Sequence, residues 1–441
     1  MPPSARQAAA PRREARGSNV IPFGSWRRGT VVGALDIGHS KICCLIAELP
    51  RRAGQLPHLL GFGEVATRHD SFLYPDYFKR ALAMARADAE KMAGRSPARF
   101  VVSSSFLSPS AVRRAGHVRL RGAVDDAAYA EVLRASFRRL EDETRALLHA
   151  VVLSCTVDNE ASLRDPRGLR GEQLGMAMLG VSVPQFHLQR LDALLAQAHV
   201  RVAKYVAPAY ASVLAARTQE EEDGYLCLDL GARRTGFALF SRGAMVHLDE
   251  LPVGGWHISN DIALGCELPF AVAERAKWLF GHALGEPPGE SMRYEHLLPG
   301  ESDAAATKPY MIDCARLGAV IRPRVEEMLE MLKTRLADAG LGTARWKRVL
   351  LCGGGASLRG LPELTRLVLR KKTRVLNAPL VAGRYALAPR HSAVWGLLHY
   401  VQEGEAAQLT PRTMHAAGWM DFLNAAKWKN AFHTIGESIN P

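Results

Sequence analysis

Apolar and polar positions recur along the chain with two different periods, and the switches between them mark the elements. Thr30–Leu49 (TVVGALDIGHSKICCLIAEL) holds two β-branched and apolar runs around Gly38-His39-Ser40. This pattern predicts strand, tight turn, strand. Residues 58–66 predict a third strand. From 76 to 93 the period lengthens: Phe78, Ala81, Leu82, Ala85, Ala89 and Met92 fall at helical spacing, and Gly94 supplies a stop. Phe100-Val101-Val102 opens another strand, and a long stretch follows before a helix near Leu188–Ala198.

Tyr225–Phe240 (YLCLDLGARRTGFALF) repeats the strand–turn–strand pattern, again around Asp-x-Gly. Asp36 and Asp229 each end an apolar strand and lead into a turn and a second strand. This weak internal repeat has the period of a domain and predicts two similar α/β lobes facing a cleft. Ala315–Ala339 predicts a long helix interrupted near its start by Pro323, with Val325, Met328, Leu329, Leu332 and Leu336 on one face. Val349–Cys352 predicts a buried strand running into Gly353-Gly354-Gly355, with a helix from about Leu361. Residues 402–418 are polar and linker-like, and a Trp- and Phe-bearing segment, Trp419–Ile439, follows.

Composition narrows the classes. The 441 residues leave room for about three domains of ~150 residues. With 48% hydrophobic and 23% charged residues, the balance is that of a globular chain with a sizeable core and excludes a disordered one. The net charge of +13 raises nucleic acid or an anionic membrane surface as partners. Its distribution is uneven, because Arg6, Arg12, Arg13, Arg16, Arg27 and Arg28 face one acid, Glu14, in residues 1–30. Pro2, Pro3, Pro11 and Pro22 break any long amphipathic helix there, which favours a disordered basic arm over a transit peptide. No aromatic residue interleaves with these arginines before Phe23 and Trp26, so no nucleic acid partner is expected. The seven cysteines form no C-x-x-C pair and several sit in apolar runs. They read as small buried hydrophobes of a reducing cytoplasm, not as a disulfide frame or zinc site. No run reaches the roughly 18 apolar residues of a membrane-spanning helix, and no signal-peptide core is evident.

Three elements together point to phosphate chemistry. In Asp36-Ile37-Gly38-His39-Ser40-Lys41, glycine lets backbone N–H groups approach phosphate oxygens and Lys41 supplies a cation. Asp36, at a strand end, is placed to hold a water-shelled Mg²⁺. Asp229-Leu230-Gly231 offers the same device from the second lobe. Gly353-Gly354-Gly355 is a loop without side chains against which a flat base and ribose can lie. Each alone is a common turn, and their order, each after a strand, carries the signal.

This order resembles the superfamily of actin, the heat-shock chaperone ATPases and the sugar kinases. Within it the chain resembles the bacterial cell-division FtsA family, actin-like membrane tethers of the division ring. The more specific segments are 32–49, Arg164-Asp165-Pro166-Arg167-Gly168 through Gly171, and Val206-Ala207-Pro208-Ala209-Tyr210-Ala211-Ser212. Val253-Gly254-Gly255 with Asp261-Ile262-Ala263, Ala273-Glu274-Arg275-Ala276-Lys277 and Leu317–Leu336 add to them.

The resemblance implies an actin-like, ribonuclease-H-like two-lobed α/β fold with an FtsA-type inserted subdomain. Residues 31–97 and 185–222 would form the first lobe, with 385–401 returning to it. Residues 98–184 would be the insertion and 223–384 the second lobe, whose outer small subdomain would be about 255–335. A linker, 402–418, would lead to an amphipathic membrane-targeting tail, 419–441. The cofactor implied is ATP with Mg. Asp36, Gly38, Ser40, Lys41, Asp229 and Gly231 would contact phosphate and metal, with Asp36 and Asp229 reaching Mg through water. Glu274 and Lys277, one helical turn apart, would flank ribose and adenine opposite Gly353, Gly354 and Gly355. Read from spacing alone, without the resemblance, Glu274 and Lys277 are a solvated i,i+3 ion pair.

Departures from the family pattern bear on the chemistry. The second phosphate turn usually carries small residues, and here it reads Gly231-Ala232-Arg233-Arg234-Thr235. Two bulky arginines displace residues whose smallness lets backbone close over the terminal phosphate, although Arg can itself pair with phosphate. His39 replaces a usual hydroxyl beside Ser40. Where actin ATPases orient water with Gln, this chain has Pro208, which cannot do so. Weak ATPase activity at most is expected.

In the tail, Trp428, Ala431, Phe432 and Ile435 form one apolar helical stripe, and Lys427 and Lys429 flank Trp428. Such a helix can lie in a membrane interface. An earlier stripe, Trp419, Phe422, Leu423 and Ala426, faces elsewhere. The reading is therefore an actin-like scaffold on the cytoplasmic side of the inner membrane at the division site. It would bind the FtsZ C-terminal tail, self-associate into filaments and recruit other divisome proteins. Two alternatives share the fold: a PilM-like pilus-assembly component, against which the tail and the Arg164–Gly171 segment argue, and a metabolite kinase, for which no catalytic carboxylate base is evident.

Overall fold

The computed structural model describes residues 29–403 except 51–54, 68–70, 164, 216–223, 242–243, 286–291, 297–307, 343–345, 377–379, 382–384 and 387. The basic arm up to residue 28 and the tail, with Trp428, Phe432, Ile435, Lys427 and Lys429, lie outside the described residues.

The chain begins with a hairpin of β1 (Val31–Ile37) and β2 (Lys41–Glu48), continued by β3 (His58–Ala66). Helix α1 (Pro75–Ala93) starts with proline in its first turn and stops at Gly94, whose φ of 65° is left-handed. Its buried face is Phe78, Ala81, Leu82, Ala85 and Ala89. Met92, expected on that face, is 41% exposed. Strand β4 (Phe100–Ser104) then pairs parallel to β1.

A separate layer follows: β5 (Ser110–Arg119), α2 (Asp126–Arg138), β6 (Arg145–Val157), β7 (Glu160–Leu163) and β8 (Gln173–Pro184), with sheet order β5-β8-β6-β7. Asp125 caps α2 by accepting the Ala128 N–H at 2.8 Å. Tyr129, Leu133 and Met176 fill the core beneath. The stretch expected as an insertion, 98–184, thus divides, since its first strand belongs to the main sheet. Helix α3 (Gln185–Gln197), β9 (Val202–Val206) and α4 (Pro208–Leu214) complete a first sheet ordered β3-β2-β1-β4-β9.

The second half opens with β10 (Tyr225–Leu230), β11 (Thr235–Ser241) and β12 (Ala244–Leu251), then α5 (Gly255–Gly265) and α6 (Phe270–Phe280). A hairpin of β13 (Met292–His296) and β14 (Lys308–Ile312) leads to α7 (Cys314–Asp338). Strand β15 (Arg348–Cys352), α8 (Leu361–Leu369) and β16 (Lys372–Val375) finish a sheet ordered β12-β11-β10-β15-β16. Both sheets share one plan, an antiparallel hairpin whose first strand takes a later strand in parallel. Asp36 and Asp229 occupy the same penultimate position in β1 and β10. The internal repeat is therefore structural, and the fold is an actin-like two-lobed α/β fold.

Pro323 does not interrupt α7, which runs unbroken from Cys314. Asp313 caps its start, accepting from Ala315 and Arg316 at 2.9 and 3.1 Å. Leu317, Gly318 and Ile321 bury the turns before the proline, and this packing holds the helix through the one missing N–H.

The last described helix, α9 (Ser392–Glu403), returns to the first lobe and packs on α4, β1 and β4. A Cβ on Gly396 would stand 1.7 Å from the Ala211 carbonyl oxygen, so α9 and α4 cross at backbone contact. Val206, Tyr210, Cys227, Phe240, Trp395 and Tyr400 belong to one core that reaches into both sheets. Five cysteines are buried and two, Cys266 and Cys314, are partly exposed. No helix among the described residues is long and apolar enough to cross a membrane.

Candidate functional site

A cleft of about 890 Å³ opens between the lobes where β1, β10 and β15 end. The eleven cofactor-site residues expected from the sequence, from Asp36 through Gly355, all line it. On the first lobe, Gly38 N–H donates to the Lys41 carbonyl at 2.9 Å and closes the turn. Lys41 Nζ is buried, 3.7 Å from Asp36 Oδ2 and 4.0 Å from Glu64 Oε2, with no acceptor at hydrogen-bond distance. Burial opposes its charge, but Cys43, Asp36 and Glu64 together outweigh that and hold the ammonium above its ordinary pKa. Burial also pushes Asp36 up, against the pull of Lys41. An ammonium with unused donors beside a carboxylate forced upward is a site short of both an anion and a cation.

From the second lobe, Asp229 accepts a 2.7 Å bond from Ser212 Oγ on α4. Burial and the facing Asp36 nevertheless raise its carboxyl to about 6. Gly353 has φ 80° and ψ 173°, a conformation essentially reserved for glycine. A Cβ there would lie 2.4 Å from Asp229 Oδ1. At Gly354 a Cβ would meet nothing within 4 Å, so the loop offers bare backbone to the cleft. Two carboxylates without enough cation, an orphaned ammonium and a glycine floor fit a metal-bound polyphosphate with a flat base.

The second turn is tight despite its arginines. Gly231 N–H reaches the Arg234 carbonyl at 3.0 Å, while Gly255 and Trp256 donate to the carbonyls of Gly231 and Ala232 at 3.0 and 2.7 Å. Closure is possible because both side chains leave the turn. Arg233 lies 4.3 Å from the Trp256 ring centroid, and Arg234 pairs with Glu250 at the end of β12.

Lys277 is not a solvated partner of Glu274. Its ammonium donates to Glu274 Oε2 at 2.9 Å, Ser259 Oγ at 2.7 Å and the Gly255 carbonyl at 2.8 Å. All three donors are thereby used in fastening α6 to the start of α5. Burial lowers the Lys277 pKa, with Glu274 opposing. Of the two, Glu274 is the more open to the cleft, at 39% side-chain exposure against 12%. Lys277→Met therefore costs about 2 kcal/mol in stability, by removing the ammonium that joins Glu274 of α6 to Ser259 and the Gly255 carbonyl of α5. Thermal melts check this, and an unchanged melting temperature would return the pair to the solvent-exposed class.

Beneath Lys41, a Cys43 sulfur, a Glu64 oxygen and a His391 ring nitrogen lie within 4.8 Å of one another. His391 Nδ1 accepts the Ala388 N–H at 3.1 Å, and Nε2 lies 2.8 Å from a Glu64 oxygen and 3.3 Å from Arg390 Nε in a hydrogen-bonded contact. Burial would raise Glu64, but this bond with Lys41 and Arg390 beside it holds the carboxyl below its usual range. Burial pushes the Cys43 thiol up to about 12. His391, Glu64 and Arg390 thus form a charged polar cluster beside Lys41.

Glu64, His391 and Glu250 carry no sequence signal that marks them as site residues. Ser212 lies within the Val206–Ser212 segment, and Glu250 is an acid at the end of an otherwise half-apolar strand. Pro208 opens α4 at the cleft wall and brings no proton-handling group.

The family model described as Cell division protein FtsA matches residues 226–394. The cell division protein FtsA of Agrobacterium fabrum is 31% identical over 398 residues, covering 86% of this chain and 88% of the relative. That of Rhizobium meliloti is 31% identical over 407 residues, covering 89% and 90%. Among solved structures, the PilM-PilN type IV pilus biogenesis complex superposes with a TM-score of 0.57 at 18% identity. It covers 86% of this chain and 100% of that one, a likeness of fold alone. With sequence relatives at this identity over nearly their whole length, the chain belongs to the family of the cell division protein FtsA.

Proposed function

We propose that this division protein binds ATP with Mg in the cleft and tethers the FtsZ ring to the cytoplasmic face of the inner membrane at the division site. It self-associates into filaments there and recruits later divisome proteins. The observation that carries the nucleotide part is the buried Lys41 ammonium without an acceptor, facing Asp36 and Asp229 across a glycine floor. Asp36 and Asp229 would hold the metal through water. Gly38, Ser40, Lys41 and Gly231 would hold phosphate, with Glu274 at the ribose and Gly353–Gly355 under the base. Pro208 at the cleft wall and a Ser212 hydroxyl already committed to Asp229 support binding with weak or no hydrolysis.

Calorimetric titration with Mg·ATP, with Asp36→Ala as control, tests the cleft. Wild type binds and the variant loses at least about tenfold in affinity. No heat from either would remove the nucleotide. Membrane attachment rests on the stripe of Trp428, Phe432 and Ile435 with Lys427 and Lys429 beside it. In flotation with anionic liposomes, the full chain rises with the vesicles and a chain ending at Gln402 stays behind. Equal flotation of the two would transfer the attachment elsewhere.

A further inference from the structure

The second phosphate turn carries adjacent arginines, and the fold gives them different surroundings. Arg233 rests on the indole of Trp256 and is not part of the cleft wall. Arg234 faces the cleft together with its partner Glu250, beside Gly231 and Asp229. The Arg234 side chain is 34% exposed and that of Glu250 13%, so arginine is the more open member of the pair. One of its N–H groups contacts Glu250 Oε1, leaving most of a five-donor fork for another acceptor.

Glu250 is a weak holder of that fork. Burial pushes its carboxyl up to about 7 even with Arg234 beside it, so near neutral pH the partner is only partly charged. A terminal phosphate is a stronger competitor, since it carries up to two charges and accepts a guanidinium bidentately. The turn itself need not move, because Gly255 and Trp256 hold its carbonyls in place. A side-chain swing is enough.

We propose that Arg234 reads the terminal phosphate of the nucleotide, exchanging Glu250 for the γ-phosphate when a triphosphate is bound and returning to Glu250 when a diphosphate is bound. This rests on the nucleotide reading of the cleft and adds the residue that tells the two nucleotides apart. Glu250 then competes for the guanidinium and does not touch phosphate. The exchange also has a route outward. Glu250 lies in β12, two strand positions beyond Leu248, and earlier in that strand the Val246 carbonyl accepts two bonds from Arg113 of β5, at 2.8 and 3.2 Å. β12 thus carries both the Glu250 partner of Arg234 and the Val246 carbonyl that holds Arg113 of β5.

The test is titration of the full chain with a non-hydrolysable ATP analogue and with ADP, each with Mg²⁺, for wild type, Arg234→Gln, Arg234→Lys and Glu250→Gln. Arg234→Gln is expected to weaken the triphosphate about tenfold or more, the worth of a charged hydrogen-bond pair, with ADP affinity nearly unchanged. Arg234→Lys keeps the charge and loses the fork, and so gives an intermediate loss. Glu250→Gln strengthens the triphosphate selectively, because the competing carboxylate is gone. Equal changes for both nucleotides, or none, in the arginine variants would overturn the proposal while leaving nucleotide binding intact. Wild type that binds neither nucleotide would overturn the nucleotide reading and this proposal with it. If Arg234→Gln fails to fold, Arg234→Lys and Glu250→Gln, read against wild type, decide.

Discussion

Gly353→Ala is expected to unfold or badly loosen the second lobe and to abolish nucleotide binding, whereas Gly354→Ala leaves the fold intact. The two positions are neighbours, so the contrast isolates conformation and close approach from composition. Gly353 holds φ 80° with ψ 173°, where an L-residue is strained by roughly 1–3 kcal/mol. Its new methyl would also lie 2.4 Å from Asp229 Oδ1 and 2.7 Å from the Leu230 carbonyl oxygen. Backbone and a buried carboxylate cannot retreat cheaply, so the sum is about 4 kcal/mol or more. At Gly354 the methyl enters open space and stability stays within roughly 0.5 kcal/mol. That methyl does project from the surface proposed to carry the base, so Gly354→Ala weakens nucleotide binding without lowering the melting temperature. Thermal melts and calorimetric titration of both variants measure this. Equal melting temperatures for wild type and Gly353→Ala would contradict the geometry.

Asp229→Asn is expected to stabilise the nucleotide-free protein at neutral pH while abolishing the proposed binding of Mg·ATP. The Asp229 carboxyl titrates near 6 in the fold, against 3.8 for an unhindered aspartate. Its folded pKa is raised, so the folded state holds the proton more tightly. Stability from this group is fully present below about pH 4 and falls as pH rises toward 6 and beyond. The two-unit gap amounts to at most about 3 kcal/mol at pH 7, less where water in the cleft screens the charge. Asparagine keeps an oxygen for Ser212 and removes the charge. The variant should therefore match wild type near pH 4 and gain on it through pH 6 to 7. Melting temperatures across that range provide the measurement. A constant offset, or a variant less stable at pH 7, would mean that Asp229 is not held upward by burial.

Much of this site is legible in the sequence, and the reasons are local. A carboxylate at the end of an apolar strand, followed by glycine, has few conformations open to it, so the sequence alone places Asp36 and Asp229. Three glycines after Val349–Cys352 are legible for the same reason. What stays hidden depends on contacts between elements far apart in the chain. Arg233 and Arg234 read as obstacles because sequence does not show that Trp256 and Glu250 wait to receive them. Lys277 reads as a ribose contact or a solvated ion, since Ser259 and the Gly255 carbonyl come from a different helix. Glu250 carries no motif, so nothing in the sequence announces a buried carboxylate in the cleft. Pro323 misleads for the same cause: burial of Leu317 and Ile321 holds a helix that local preference alone would break.

The crossing of α9 on α4 has a mechanical meaning. Glu403 is the last described residue, and α9 runs back along the first lobe with Gly396 seated on the Ala211 carbonyl. Gln402 Nε2 also donates to the Gln55 carbonyl at 2.6 Å, tying the end of the helix to the approach to β3. Tension applied to the chain beyond residue 403 therefore enters through the first lobe. It loads two helices in shear along a backbone-to-backbone seam, a geometry that spreads force over many contacts. The core that Tyr210, Trp395 and Tyr400 share with Cys227 and Phe240 then passes part of that load to the second sheet, beside the cleft.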